Sequence, residues 1–291
     1  MLVLLGGVVV LLTVWGGYAL SGGEAGALLQ PYELLIIAGA GVGAFFASNS
    51  GQALLVTGRY FPLLFRGPRY TRELGIDVMS LLFRLLRRAR QKGIFFLETD
   101  TDSPYTSPDF LRYPRILADS RLTEFIADYL RLMLSGNMNA LQLDALMEQE
   151  LETLEEEGEV PAEALGRLGD SLPAFGIVAA VLGVIHTLSA ANRPAAEMGA
   201  LIAQAMVGTF LGILLSYGFI TPLAERLRLR HAESLRMLQC VRMILIADLN
   251  GSPPQMSVEF GRKALYSDIR PSFAEIEALI MDIRGSANTE A

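Results

Sequence analysis

The sequence predicts an all-α integral membrane protein: four transmembrane helices, a large helical domain between the second and third, and a helical tail after the fourth. Three observations predict it. Hydrophobic residues make up 52% of the 291-residue chain and charged residues only 19%, against about 25% charged in a typical soluble domain. The apolar residues gather in four runs, 1–21, 34–58, 172–191 and 199–223. Each comes close to the roughly 20 residues a helix needs to cross a hydrocarbon core. Finally, 23 of the 24 lysines and arginines fall within 59–170 and 224–291, and Arg193 is the exception.

The first run, 1–21, has no basic residues ahead of it, is long for a leader and is followed by no A-x-A site, so it reads as a retained span. A short connector, 22–33, follows. The second run is interrupted by Ser48, Asn49 and Ser50, which confines its membrane part to 34–51. Residues 52–170 form a helical domain. Within it, 73–97 reads as an amphipathic helix, with Val78, Leu81, Leu82, Leu85 and Ala89 on one side and Arg84, Arg87, Arg88 and Gln91 on the other. Gly93 ends or bends it. The stretch 99–110 is a loop by its Ser, Asp and Pro content. Residues 120–135 form a helix stopped at Gly136-Asn137. Residues 138–157 form another, with Leu141, Met147, Leu151 and Leu154 inward and an acidic outer face of Glu148, Glu150, Glu152, Glu155, Glu156 and Glu157. Glu159-Val160-Pro161 is expected to break it. The third span is 171–190, a connector covers 191–198, and the fourth span is 199–223. In the tail, 224–291, a basic helix continues over 224–249, 250–254 is a turn and 271–285 is a last short helix.

Charge sets the orientation. Spans that alternate across the membrane place 52–170 and 224–291 on the same side, and the basic excess there marks that side as the cytoplasm. Both termini are then cytoplasmic, and the connectors 22–33 and 191–198 face outward.

Several chemistries have no foothold. The single cysteine, Cys240, can form no disulfide within the chain. Two distant histidines and one cysteine do not make a metal site. No Walker loop, nucleophile elbow or dinucleotide fingerprint is present, no nucleophile–base pair is visible, and no enzyme activity is expected. Ionisable residues inside a membrane mark ion pathways, yet the spans offer only His186, near the outer end of the third. It reads as a neutral side chain bonded to backbone or water, or as a proton relay. The fourth span adds only Gln204 and Thr209. Small residues abound in spans two to four, Gly176, Ala180, Gly183, Gly208 and Gly212 among them. They suit ordinary intrachain packing or a surface that receives another helix. Pro173 and Pro222 lie at the cytoplasmic ends of spans three and four. Pro173 suits a first helical position. Pro222 falls where the helix runs on, so a kink is expected there.

The segments "PAFGIVAAVLGVIHTL" and "RPAAEMGALIAQAMVGTFLGILLSYGF", with "YPRILADS", "CVRMILIADLNG" and "VEFGRKALYS", closely resemble the MotA family of flagellar motor stator proteins, and the resemblance covers essentially the whole chain. It implies a subunit of the bacterial inner membrane, five copies around a MotB dimer. MotB supplies the proton-binding aspartate, and proton flow drives rotation that is transmitted to FliG of the rotor. By the resemblance, Arg90 and Glu98 face the rotor with Glu150 a weaker member, Pro173 and Pro222 form the coupling hinge, and Thr209 lines the ion path. Sodium-driven relatives tend to carry threonine where this chain has Ala180, which points to protons. The resemblance implies no cofactor, metal or nucleic acid, only the surrounding lipid. The alternative is an ExbB/TolQ-like energiser of an envelope complex, whose three spans and outward N-terminus differ from the pattern here.

Overall fold

Every regular element among the described residues of the computed structural model, 2–65, 67, 69–189 and 194–289, is helical. In chain order the α-helices are α1 (Leu2–Leu20), α2 (Pro31–Ser48), α3 (Gly51–Tyr60), α4 (Arg72–Lys92), α5 (Glu98–Asp102), α6 (Pro108–Leu111), α7 (Pro114–Leu117), α8 (Ser120–Ser135), α9 (Ala140–Ser189), α10 (Ala195–Leu215), α11 (Thr221–Leu249), α12 (Pro254–Ala264) and α13 (Phe273–Thr289). A π turn, Ser216–Ile220, joins α10 to α11. The expected outer connector lies outside the described residues at 191–193, and Arg193 with it. The chain forms two compact units, one from 1–67 and 157–230 and the other from 68–156 and 231–291.

The first unit holds four stretches long and apolar enough to cross a membrane, within Val3–Leu20, Ala25–Ser48, Ala140–Ser189 and Ala195–Leu249. None of the apolar window of α1 is buried within the chain, so α1 offers its surface to lipid or to other chains. Inside the unit, Ile37 of α2 packs with Leu172 and Ala179 of α9 and Leu211 of α10. A second cluster joins Leu64 to Ala162 and Leu165 of α9 and to Leu223, Ala224 and Leu227 of α11. Trp15 meets Phe210 edge to face at 6.2 Å.

This second cluster explains why α9 does not break at Glu159-Val160-Pro161. The helix runs unbroken from Ala140 to Ser189 with Pro161 buried inside it. An internal proline costs about 3 kcal/mol. The apolar side chains that α9 buries in the turn that follows, Ala162, Ala164 and Leu165, offset that cost.

The second unit is built on α4, whose Val78, Leu81, Leu82 and Leu85 are fully buried as the periodicity predicts. Packed around it are the inner faces of α8, α9, α11, α12 and α13. The helix expected over 73–97 stops at Lys92, because Gly93 takes φ +96°, a left-handed conformation that favours glycine. A 3-10 turn, Ile94–Leu97, follows. The Asp119 carboxylate caps α8 by accepting from Leu122 N–H at 3.3 Å, and left-handed Gly136 closes it. Leu141 is not inward but 78% exposed; Leu143 takes its place. An Asn139–Gln142 box of reciprocal hydrogen bonds, 2.9 and 3.0 Å, sets the start of α9, and from there the inward row is 143, 147, 151 and 154. Gly261 lets α12 lie close on α11: a Cβ there would stand 2.8 Å from the Cys240 carbonyl oxygen.

Candidate functional site

The two helices that carry the expected ion-path residues meet along a seam of small side chains. A Cβ added at Gly176 of α9 would stand 2.8 Å from the Gly208 carbonyl oxygen and 3.1 Å from the Gly212 Cα. At Gly212 it would stand 2.6 Å from the Leu172 carbonyl oxygen, and at Gly183 it would stand 2.6 Å from the Ala205 Cβ. These glycines are used up in packing α9 on α10 within one chain, the arrangement that close helix approach in a membrane requires. A surface that receives another helix must therefore be built from other residues. On α2, for instance, Gly39 and Gly43 have nothing within 4 Å of an added Cβ. Ala180 and Thr209 flank the seam and are half-buried. The Ala180 amide nitrogen lies 3.1 Å from a Cβ built at Gly208, and the Thr209 Cα lies 3.3 Å from one at Gly176.

Pro173 sits within α9 rather than at a first helical position, so its ring denies a donor to the Gly169 carbonyl. At Pro222 the chain takes a π turn immediately ahead of the proline. The Thr221 amide bonds the Ser216 carbonyl five residues back, which deprives Tyr217 of its α-helical donor, and Pro222 deprives Gly218. π turns concentrate at functional sites. The hydroxyls of Ser216 and Thr221, at the two ends of this turn, are buried with no hydrogen-bond partner. Thr221 Oγ1 lies 2.9 Å from a Cβ built at Gly169, so the carbonyl freed by Pro173 and the end of the π turn belong to one neighbourhood. The expectation of a loosened helix at Pro222 thus becomes a specific register change one turn earlier.

In the second unit Arg90 is not a free charge. Its Nη2 and Nε donate to Asp248 Oδ1 at 2.8 and 3.1 Å, and Nη2 also reaches the carbonyls of Asp248 and Ser252 at 3.4 and 2.6 Å. The guanidinium caps the C-terminal end of α11, where carbonyls lack partners and a cation is favoured. Its side chain remains 38% exposed, Asp248 only 12%. Burial raises the Asp248 carboxyl above its usual range, and Arg90 opposes that shift. Glu98 opens α5, is exposed, and its carboxylate has no partner among the described residues. Glu150 accepts from Tyr129 Oη at 2.5 Å. Arg90 and Glu98 stand on either side of the Gly93 turn, and Phe95 and Phe96 between them are 72% and 60% exposed. No contact joins Glu150 to either among the described residues. Asp248 was not singled out from the sequence, although it is the one acid in an otherwise apolar helix end.

His186 is exposed, one turn from the end of α9. Cys240 is fully buried, and burial alone pushes its thiol up to about 12, which keeps it a packing residue. Among the described residues no group of three His, Cys, Asp or Glu is placed to hold a metal ion.

Residues 4–93 match the family described as Motility protein A N-terminal, and residues 118–239 match the MotA/TolQ/ExbB proton channel family. The chain is 57% identical to Motility protein A of Salmonella typhimurium over 98% of its own length and 96% of that protein's. Its fold is similar to that of C. jejuni MotAB, with TM-score 0.78 at 21% identity over 93% of this chain and 98% of that one. It is also similar to the flagellar MotAB stator complex of Bacillus subtilis, with TM-score 0.73 at 22% identity over 88% and 92%. Four apolar spans whose cores hold no Asp, Glu, Lys or Arg, two prolines beside one small-residue seam and 57% identity over nearly the full length together place the chain in the motility protein A family, within the MotA/TolQ/ExbB proton channel group.

Proposed function

We propose that the chain is a stator subunit of the bacterial flagellar motor that conducts protons only together with a MotB-type partner. One observation carries the reading. The apolar cores 3–20, 34–48, 171–189 and 198–215 contain no Asp, Glu, Lys or Arg. A proton crossing here needs a carrier, and a partner span with a carboxylate supplies it. Five copies around two such spans, in the inner membrane with both termini cytoplasmic, give the ring that the ion flow turns. Ala180 and Thr209 border the path, and the hydroxyl-poor site at Ala180 favours protons. The ExbB/TolQ-like alternative fits less well, since the likeness to Motility protein A extends over nearly the whole chain. The test is proton uptake in liposomes holding this chain with and without its partner. Uptake is expected only with the partner, and equal rates from the chain alone would refute the reading.

Rotor contact is assigned to the Gly93 turn: Glu98 offers a free carboxylate toward FliG and Arg90 an exposed edge, with Glu150 peripheral. Exposed ion pairs contribute about 0–1 kcal/mol, so these charges steer and register rather than hold. The Asp248 contact adds a second consequence. Arg90→Glu sets two carboxylates against each other at the end of α11 and is expected to abolish most swimming in soft agar, where Arg90→Gln only slows it. Asp248→Arg on the same chain should then restore part of the loss. If only a charge reversal on FliG restores it, Arg90 acts at the rotor and not through α11.

A further inference from the structure

A cleft of about 690 Å³ runs along the cytoplasmic half of α1 and the face of the π turn and early α11, a volume typical of sites for small ligands. Its shape follows from three glycines. α1 touches the π turn where Gly218 and Gly7 allow it: a Cβ at Gly218 would stand 3.2 Å from Val10, and one at Gly7 would stand 3.3 Å from the Phe219 ring. Gly6, one residue earlier, has nothing within 4 Å of an added Cβ, and the surface hollows there. The walls are apolar, with Val3, Leu11 and Leu229 among them. The cleft spans Val3 to Leu11 of α1, about 12 Å at the helical rise of 1.5 Å per residue. That is most of one leaflet of a hydrocarbon core roughly 30 Å thick.

The mouth differs from the walls. Arg226 lines it, half-buried, and makes no ion pair or hydrogen bond among the described residues. Glu225 also lines the cleft, but its carboxylate is paired with Arg228 at 3.0 Å, which leaves Arg226 as the unpaired charge there among the described residues. A cation at the polar end of an apolar cleft is complementary to an anionic headgroup above an acyl chain. A transmembrane helix of a second copy would fill the walls and leave Arg226 without a counter-charge.

We propose that this cleft seats one acyl chain of an anionic phospholipid of the cytoplasmic leaflet, with the lipid phosphate on Arg226. The inference rests on the orientation given under the proposed function. The bound chain lies against the π turn and Pro222, and so fills the space into which the turn would move.

The stator complex, purified with its partner, is examined by native mass spectrometry after exchange into phosphatidylglycerol or phosphatidylcholine. The wild type should retain phosphatidylglycerol in preference to phosphatidylcholine. Arg226→Gln should reduce that preference about fivefold, the weight of one basic side chain at an anionic surface. Gly6→Leu, whose Cβ would have nothing within 4 Å and whose longer side chain projects into the hollow, should reduce retention of both lipids. Retention and preference unchanged in both variants would overturn the proposal, and so would cross-linking of Gly6→Cys to a second protein chain, which would show protein in the cleft. Labelling of Arg228→Cys by a membrane-impermeant thiol reagent separates the two levels. Labelling from the outside refutes the orientation; labelling from the cytoplasmic side with unchanged lipid retention refutes only the lipid site.

Discussion

Gly212→Ala is expected to abolish swimming and to leave little correctly folded protein in the membrane. The added Cβ would stand 2.6 Å from the Leu172 carbonyl oxygen and 2.9 Å from the Gly176 Cα. Both are backbone atoms, so no side chain can turn aside, and α9 and α10 must part. Overpacking in an adjustable core costs about 1–3 kcal/mol; where two backbones meet, the loss should lie at or above that range. Separation of the helices also forfeits the contacts of Ala179 and Leu211, which are buried beside the seam. The internal controls are graded. Gly208→Ala, whose nearest contacts are 3.1 Å away, should do less, and Gly39→Ala, with nothing within 4 Å, should leave this chain's own packing intact. Membrane abundance and thermal unfolding in detergent, read beside soft-agar motility, check the order. If Gly39→Ala proves more damaging than Gly212→Ala, the exposed face of α2 and not the α9–α10 seam carries the fold.

Pro173→Ala should give the opposite combination, a protein that assembles normally and does not swim. The substitution returns an amide to the middle of α9, where it can serve the Gly169 carbonyl, so the helix gains a hydrogen bond and loses a steric conflict. Stability should therefore hold or rise. What disappears is the compliance of the helix beside Gly169, against which the Thr221 end of the π turn rests. A membrane potential supplies about 2.3 kcal/mol per charge per 100 mV, enough to bias a soft element between two states but too little to work against a stiffened one. Co-purification with the partner, thermal midpoint and motility are the three readouts. A variant that fails to co-purify would make Pro173 a folding residue; one that swims normally would remove it from the coupling path.

The second prediction turns on a distinction that the sequence does not contain. Two prolines at the ends of two spans are visible in the one-dimensional string, and alternation of the spans puts both on one side of the membrane. That the π turn near Pro222 is Ser216–Ile220, and that its end lies against Gly169, depends on how α9, α10 and α11 pack. Pro161 shows the same limit from the other side. Local propensity marks it as a break, and the burial of Ala162, Ala164 and Leu165 outweighs that propensity. The inner row of α12 is weak in the sequence because part of it is glycine: Gly261 contributes no apolar signal, yet it is the residue that lets α12 lie on α11.

The sequence by itself determined the four spans, the buried stripe of α4, the stop of α8 at Gly136 and the absence of Asp, Glu, Lys and Arg from the apolar cores. Each of these is written in composition, in a 3.6-residue period or in a single stop residue, and each acts over one or two turns. Only the tertiary structure decided that the glycines of spans three and four face each other, that Arg90 is held by Asp248 and that Arg226 lines an apolar cleft without an ion-pair partner among the described residues. The reason is physical. A glycine reads the same whether a backbone or open space lies beside it. An arginine reads the same whether its counter-charge is in solvent, in a lipid or 158 residues further along the chain, and only the packed helices distinguish these cases.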